Sequence, residues 1–239
     1  MLSELSIFLP TYNEEGNIKK SVESALSNAK KIARKYEVIV VLARGSTDNT
    51  EKIVKDMMKK NKKIRLVYQE ADQVGYGVAL KLGIVSSRYG YIFYTDSDNQ
   101  YDMKEISKLL PYLKDYDIVY GRRMKRKDVI GRIVLARIYN LILGMLFRTG
   151  VRDIDSAFKL YKKRIFEKVK LKYNTGIVDA EIIIKAQRSG FKVKETDVHH
   201  YYRKSGKAMY ELFNIGMIRP NVISDLIKDI IRLWLELYL

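Results

Sequence analysis

Apolar segments rich in β-branched and aromatic residues recur at Leu5 to Leu9, Val38 to Leu42, Ile64 to Tyr68, Tyr91 to Tyr94 and Ile118 to Tyr120. Helix-like stretches at about 17 to 35, 49 to 61, 75 to 88 and 102 to 114 separate them. Short apolar runs of this kind read as buried strands. Their alternation with helices restricts the chain to an α/β architecture, a mostly parallel central sheet flanked by helices. The ligand of such a sheet is expected in the crevice outside the carboxyl ends of its strands, so the loops that follow strands are where chemistry is sought. Beyond about residue 121 the rhythm changes to a basic stretch, a long helical segment, mixed elements and two apolar helices from about 207 onward.

Charge narrows the partners. Forty-five Lys and Arg against 28 Asp and Glu leave a formal +17, a field that attracts phosphates, nucleic acid or anionic lipid heads. No zinc finger, basic zipper or aromatic RNP stretch accompanies the charge, so nucleic acid is not the expected partner. Cys is absent, which excludes disulfides, thiolate metal sites and a Cys nucleophile. The longest uncharged run, Ile138 to Phe147, is well short of the roughly 20 apolar residues of a spanning helix. Met1 to Leu5 has no signal-peptide pattern and runs straight into the first strand-like segment, so the expected compartment is cytoplasmic.

Three strand-end loops carry polar motifs: Leu9-Pro10-Thr11-Tyr12-Asn13-Glu14, Arg44-Gly45-Ser46-Thr47-Asp48-Asn49-Thr50 and Tyr94-Thr95-Asp96-Ser97-Asp98-Asn99-Gln100. In the third, two carboxylates two residues apart and the Gln100 amide oxygen form a set of hard oxygen ligands suited to Mg²⁺ or Mn²⁺. Asp-x-Asp alone is short enough to be a solvated turn. At the end of a central strand, however, gathered carboxylates repel one another without a cation. Further on, Gly121-Arg122-Arg123 opens a run in which Lys125, Arg126, Lys127, Arg132 and Arg137 are opposed only by Asp128. Asp153-Ile154-Asp155-Ser156-Ala157-Phe158-Lys159, Asp179-Ala180-Glu181 and Arg203 to Gly206 follow.

Taken in order, these elements resemble the inverting family 2 glycosyltransferases of the glycosyltransferase A (GT-A) fold, most closely the polyprenyl-phosphate sugar transferases of the dolichyl-phosphate mannose synthase type. The resemblance spans roughly residues 3 to 210. It implies a catalytic domain over 1–206, with a nucleotide-sugar half (1–121) and an acceptor half (122–206), followed by C-terminal amphipathic helices over 207–239. It further implies that Pro10, Thr11, Tyr12 and Glu14, with Ala43, Asp96 and Ser97, line a GDP- or UDP-hexose, and that Asp96, Asp98 and Gln100 hold Mg²⁺ or Mn²⁺ on its diphosphate. Asp98, Asp153 and Arg203 are the implied catalytic residues, Arg203 neutralising the departing diphosphate and Asp153 lying between donor and acceptor. Arg123, Arg132 and Lys159 would grip the phosphate of a polyprenyl or dolichyl acceptor, Glu181 would lie near the sugar, and the enzyme would sit peripherally at the inner face of the membrane.

One departure is informative. Where the family usually carries Asp-Asp-Gly-Ser-x-Asp, this chain has Ala43-Arg44-Gly45-Ser46-Thr47-Asp48: a carboxylate that helps to hold the base is lost and a cation gained. Discrimination between UDP- and GDP-sugars is therefore expected to be modest. On a helical wheel from 130 to 148, Val134, Leu135, Ile138, Leu141, Ile142, Met145 and Leu146 form one apolar arc, with Ile133, Leu143 and Phe147 on the polar side. From 221 to 239 a narrow polar stripe runs through many apolar residues. Either helix could pack on the domain, pair with a second subunit as a homodimer or rest in an anionic membrane surface. Two alternatives stand beside lipid-phosphate transfer. A glycan hydroxyl acceptor would need a base at Asp153, Asp155 or Asp179, and an impaired transferase fold would serve as a membrane-binding module.

Overall fold

The computed structural model describes every residue except 71–73, 125–129, 204, 207–210, 213–216 and 219. Seven strands form one sheet in the order β3-β2-β1-β4-β6-β5-β7. They are β1 (Leu2–Thr11), β2 (Ala33–Ala43), β3 (Ile64–Gln69), β4 (Tyr91–Thr95), β5 (Ile118–Met124), β6 (Phe158–Lys162) and β7 (Val193–His199). β1 to β4 pair in parallel, as does β7 with β5, whereas β6 enters antiparallel between β4 and β5. The five expected strands and the mostly parallel sheet are borne out. β6 lay unread among the mixed elements, because five residues with one charge at each end of an apolar centre carry no period that marks a strand.

Helices α1 (Ile18–Ile32), α2 (Thr50–Lys60) and α3 (Tyr76–Ser86) cover the first half. Ile18, Val22, Ala25 and Ala29 recur at three- and four-residue spacing along α1 and are fully buried, which is the stripe a core-facing helix needs. The stretch expected as a helix over 102 to 114 is instead two 3₁₀ turns, Met103–Lys108 and Leu110–Lys114, parted where Pro111 lacks a backbone N–H. α3 approaches β1 through Gly83, where a Cβ would stand 2.3 Å from Phe8 Cδ2. Gly83→Ala is expected to lower stability by about 1–2 kcal/mol in urea unfolding, since overpacking costs about 1–3 kcal/mol and helix propensity returns at most about 1.

The second half adds α4 (Ile130–Phe147), α5 (Ile165–Lys168), α6 (Val178–Arg188) and α7 (Pro220–Tyr238). Ahead of α7, where a first apolar helix was expected, the described residues include a short antiparallel pair, β8 (Glu211–Leu212) and β9 (Met217–Ile218). The apolar arc of α4 faces outward: Leu141 and Met145 are 60% and 65% exposed, and Val134, Leu135, Ile138, Ile142 and Leu146 are exposed as well. Leu143 and Phe147, which the wheel put on the polar side, are the residues that pack. On α7 polar and apolar residues share the face on the domain: Ile230 and Leu233 are buried, and Leu226, Trp234 and Leu237 pack against the core. Asp229 and Glu236 face the domain, accepting from Thr175 Oγ1 (2.9 Å) and from Tyr173 Oη (3.2 Å), while Ile223, Ile227, Ile231 and Leu235 are exposed. Tyr238 Oη donates to the Leu146 carbonyl at 3.1 Å, joining the ends of the two helices. No helix among the described residues is long and apolar enough to cross a membrane.

Candidate active site

The carboxyl ends of β1 and β2 lead into two loops that hydrogen bonds clip together. Asn13 N donates to Ser46 Oγ (3.0 Å), Glu14 N to Thr50 Oγ1 (2.9 Å) and Glu15 N to Asp48 Oδ2 (2.9 Å). In return Thr47 N donates to Asn13 Oδ1 (2.8 Å) and Asn49 N to Glu15 Oε2 (3.0 Å). Asp48 also accepts from Thr50 N at 3.0 Å, an Asx turn that leads into α2. Burial alone would raise its carboxyl, but the bonds from Thr50 and Glu15 hold it below the ordinary range. Asn13 has φ 50°, a left-handed conformation that Asn tolerates better than most residues. Thr11 and Ser97 are committed to the scaffold, donating to Leu9 O (3.0 Å) and Pro10 O (2.9 Å). Ala43 is completely buried.

β4 ends in the acidic loop. Asp98 is buried, its Oδ1 accepting from Gln100 N (3.0 Å) and its Oδ2 from Arg203 Nη1 (3.2 Å). Arg203 Nη2 also donates to Glu14, whose other oxygen accepts from Asn17 Nδ2 at 2.7 Å. Burial raises the Glu14 carboxyl, a rise that Arg203 and Asn17 oppose. Half-buried Asp96 has no hydrogen-bond partner among the described residues, and burial, followed by Asp98 and Asp179, pushes it up to about 8. The Gln100 side-chain amide donates to Tyr201 O (3.0 Å), and Tyr201 N to Gln100 O (2.8 Å), tying the Arg203 segment to this loop. His199 turns outward to Glu105 while His200 is buried against Tyr101, as opposite faces of a strand require.

These donors fit Mg²⁺ or Mn²⁺. Asp96 and Asp98 are hard ligands whose mutual repulsion a cation relieves, and Gln100 keeps its side-chain oxygen as an acceptor. Among the described residues no group of three or more Asp, Glu or His side chains is poised to hold a metal.

Lys159 corrects an expectation. Proposed to grip an acceptor phosphate, it is fully buried, its Nζ donating to Asp179 Oδ1 (2.6 Å), Ser156 O (2.5 Å) and Tyr94 Oη (3.2 Å). All three ammonium donors are taken within the fold. Asp179 also accepts from Tyr94 and from Tyr76 Oη (3.0 Å), so it is held in a network rather than free to act as a base. Burial and then Asp179 push both phenols well above their ordinary range. Glu181 is fully buried too, accepting from Lys185 Nζ and Lys172 N at 2.7 Å each. Tyr76 had no signal in the sequence; a tyrosine at a helix start reads as core packing.

Arg123 and Asp153, assigned separately to acceptor and catalysis, are each other's partners. Arg123 Nε and Nη2 grip Asp153 Oδ2 (2.8 Å) and Oδ1 (2.5 Å), and both side chains are about nine-tenths buried. Arg123 Nη1 has no partner among the described residues. Glu195 supports the Asp153 loop, accepting from Arg152 N (2.7 Å), Asp153 N (3.0 Å) and Tyr120 Oη (2.7 Å). Asn140 on α4 accepts from Ile154 N at 2.8 Å. Half-buried Asp155 has no hydrogen-bond partner among the described residues, and burial, then Asp179, raises it to about 7. The Arg132 side chain, with Lys125, Arg126, Lys127 and Asp128, lies outside the described residues.

Comparison with known proteins returns the family read from the motifs. Residues 6–170 match the model described as Glycosyl transferase family 2. Two relatives come from Haloferax volcanii: glycosyltransferase AglD, 30% identical over 82% of this chain and 32% of its own length, and low-salt glycan biosynthesis hexosyltransferase Agl6, 29% identical over 89% and 51%. The chain thus spans about a third to a half of these two relatives. Undecaprenyl-phosphate 4-deoxy-4-formamido-L-arabinose transferase of Proteus mirabilis is 22% identical over 97% of this chain and 70% of its own. Among solved structures, glucosyl-3-phosphoglycerate synthase of Mycobacterium tuberculosis with Mn²⁺, UDP and glucosyl-3-phosphoglycerate superposes with a TM-score of 0.71 at 19% identity, over 95% of this chain and 79% of that one.

Proposed function

Because the chain belongs to glycosyltransferase family 2, we propose that it transfers a hexose, mannose or glucose, from GDP or UDP to a polyprenyl (dolichyl-type) phosphate, with inversion, at the cytoplasmic surface of a membrane. Asp96 and Asp98, with the Gln100 oxygen, would hold Mg²⁺ or Mn²⁺, which when bound neutralises charge on the departing nucleoside diphosphate. Arg203 adds a second positive charge at the same place, so catalysis is largely electrostatic. The incoming lipid phosphate is already anionic at pH 7 and needs no base. This suits a site whose Asp153 and Asp179 are held in ion pairs. Arg123, oriented by Asp153, has Nη1 without a partner among the described residues and would offer it to the acceptor, with Arg132 farther along the chain.

The observation that carries the reading is the outward apolar face of α4, which follows Arg123 and is tied by Asn140 to the Asp153 loop. Together with the exposed Ile223, Ile227, Ile231 and Leu235 of α7 it supplies an aliphatic surface beside the acceptor residues, the form of a helix lying in the headgroup layer. A radiolabelled-sugar assay with a short polyprenyl phosphate tests this: label is expected to pass into the organic phase with one nucleotide sugar. Label staying in water across a full donor panel would overturn it.

Asp155 favours a second reading, transfer to a glycan hydroxyl. A carboxyl at about 7 with no hydrogen-bond partner among the described residues suits a general base, which must be ionised to work. Under that reading the rate falls as pH drops through about 7, Asp155→Asn removes that limb, and the labelled product is water-soluble. Under lipid-phosphate transfer Asp155→Asn leaves the pH profile unchanged and the labelled product passes into the organic phase.

A further inference from the structure

Resting on the nucleotide-sugar reading, the inference concerns the edge of the site beyond the diphosphate. Asp96, Asp98 and Arg203 lie where the strand order turns back between β1 and β4, the place where open α/β sheets bind ligands. On the β6 side the Lys159–Asp179 and Arg123–Asp153 pairs fill the sheet's carboxyl end. The nucleoside is therefore left the edge over β1, β2 and β3, where register sets Thr11 beside Leu42 and Leu42 beside Tyr68.

The groups at that edge are donors and aromatic faces. Ser46 N closes a tight turn onto Ala43 O at 3.0 Å and holds Arg44 at its corner. The exposed Arg44 guanidinium lies 4.9 Å from the centre of the Tyr68 ring, and Tyr68 is anchored by its hydroxyl to Glu51 Oε1 at 2.7 Å. Half-buried Tyr12 lies over Gly45, with 3.7 Å between its Cε2 and a Cβ placed there. Of the carboxylates there, Asp48 is committed to backbone amides, Glu15 to Asn49, and Glu51 to Tyr68 and Lys55 (2.6 Å), while Glu70, next after β3, is exposed. Ala43 offers a buried methyl where an acceptor would be needed.

We propose that Arg44, braced on Tyr68, reads the nucleotide's base, and that the base presents two adjacent acceptors, as guanine does with O6 and N7 or cytosine with O2 and N3. Arginine's fork matches such a pair. Uracil sets an N–H between its two carbonyls, and adenine sets its amine between N1 and N7, so along those edges either base turns a donor toward a donor. A single bidentate reader discriminates by about 1–3 kcal/mol, which replaces the modest preference expected from the loss of a carboxylate alone.

The test is calorimetric binding of GDP, CDP, UDP and ADP with Mn²⁺ to the whole chain. Wild type is expected to bind GDP or CDP at least about tenfold more tightly than UDP and ADP, about 1.4 kcal/mol. Arg44→Gln is expected to bring the four within about threefold, and Tyr68→Leu to narrow the ratio partly by releasing the guanidinium. A wild-type preference for UDP or ADP, or an unchanged ratio in Arg44→Gln, overturns the assignment while leaving the nucleotide-sugar reading intact. Failure of wild type to bind any of the four overturns that reading and this assignment with it.

Discussion

Asp98→Ala is expected to abolish Mn²⁺-dependent binding of nucleoside diphosphate and to cut transfer by at least about a hundredfold, with the fold preserved. Asp98 and Asp96 are the carboxylates proposed to hold the cation, and a cation of this kind depends on one or two protein carboxylates plus phosphate oxygens. Removing a single charge-stabilising group from such a site costs about 10²–10³ in rate. Arg203 keeps Glu14 as a partner after the substitution, so no buried cation is left alone and thermal unfolding should stay close to wild type. Asp98→Asn keeps an oxygen for the Gln100 amide bond while losing the charge, and is expected to behave like the alanine variant. Calorimetry with GDP and UDP in Mn²⁺ decides it: unchanged affinity in either variant would sink the metal assignment.

Lys159→Met is expected to lower stability by about 3–5 kcal/mol, because it leaves Asp179 as an uncompensated charge in a site where the pair is 0% and 2% exposed. Lys159→Met with Asp179→Asn should recover part of that loss, since the amide oxygen still accepts from one phenol, the amide N–H can donate to the other, and no charge remains buried. Urea unfolding of the three proteins measures the difference. If Lys159 were a surface ligand for acceptor phosphate, the single substitution would cost under about 1 kcal/mol, as exposed ion pairs do, and would act on acceptor affinity instead.

Much of this protein was legible in local pattern. Apolar runs of strand length between amphipathic stretches placed β1 to β5 and α1 to α3, because each signal depends on residues a few positions apart. The same locality put Asp96 and Asp98 at the end of β4 and so at the carboxyl edge of the sheet, where a parallel sheet holds its ligand. The order of motifs likewise pointed to the family.

Which charges are free to act was decided by the tertiary structure alone. Lys159 and Arg123 read as open cations in the sequence, and Asp153 and Asp179 as candidate acids, yet the fold marries Lys159 to Asp179 across 20 residues and Arg123 to Asp153 across 30. Asp155, two positions from Asp153 and without a signal to set it apart, is left without a hydrogen-bond partner among the described residues. Periodicity also left open whether the broad apolar arc of α4 packs on the domain or faces outward, and the fold decides it by covering Leu143 and Phe147 and turning the arc outward. The reason is common to these cases. A buried charge must find a counter-charge, and an apolar face must find a cover, and both depend on which distant segments the sheet register brings together, which no local period encodes.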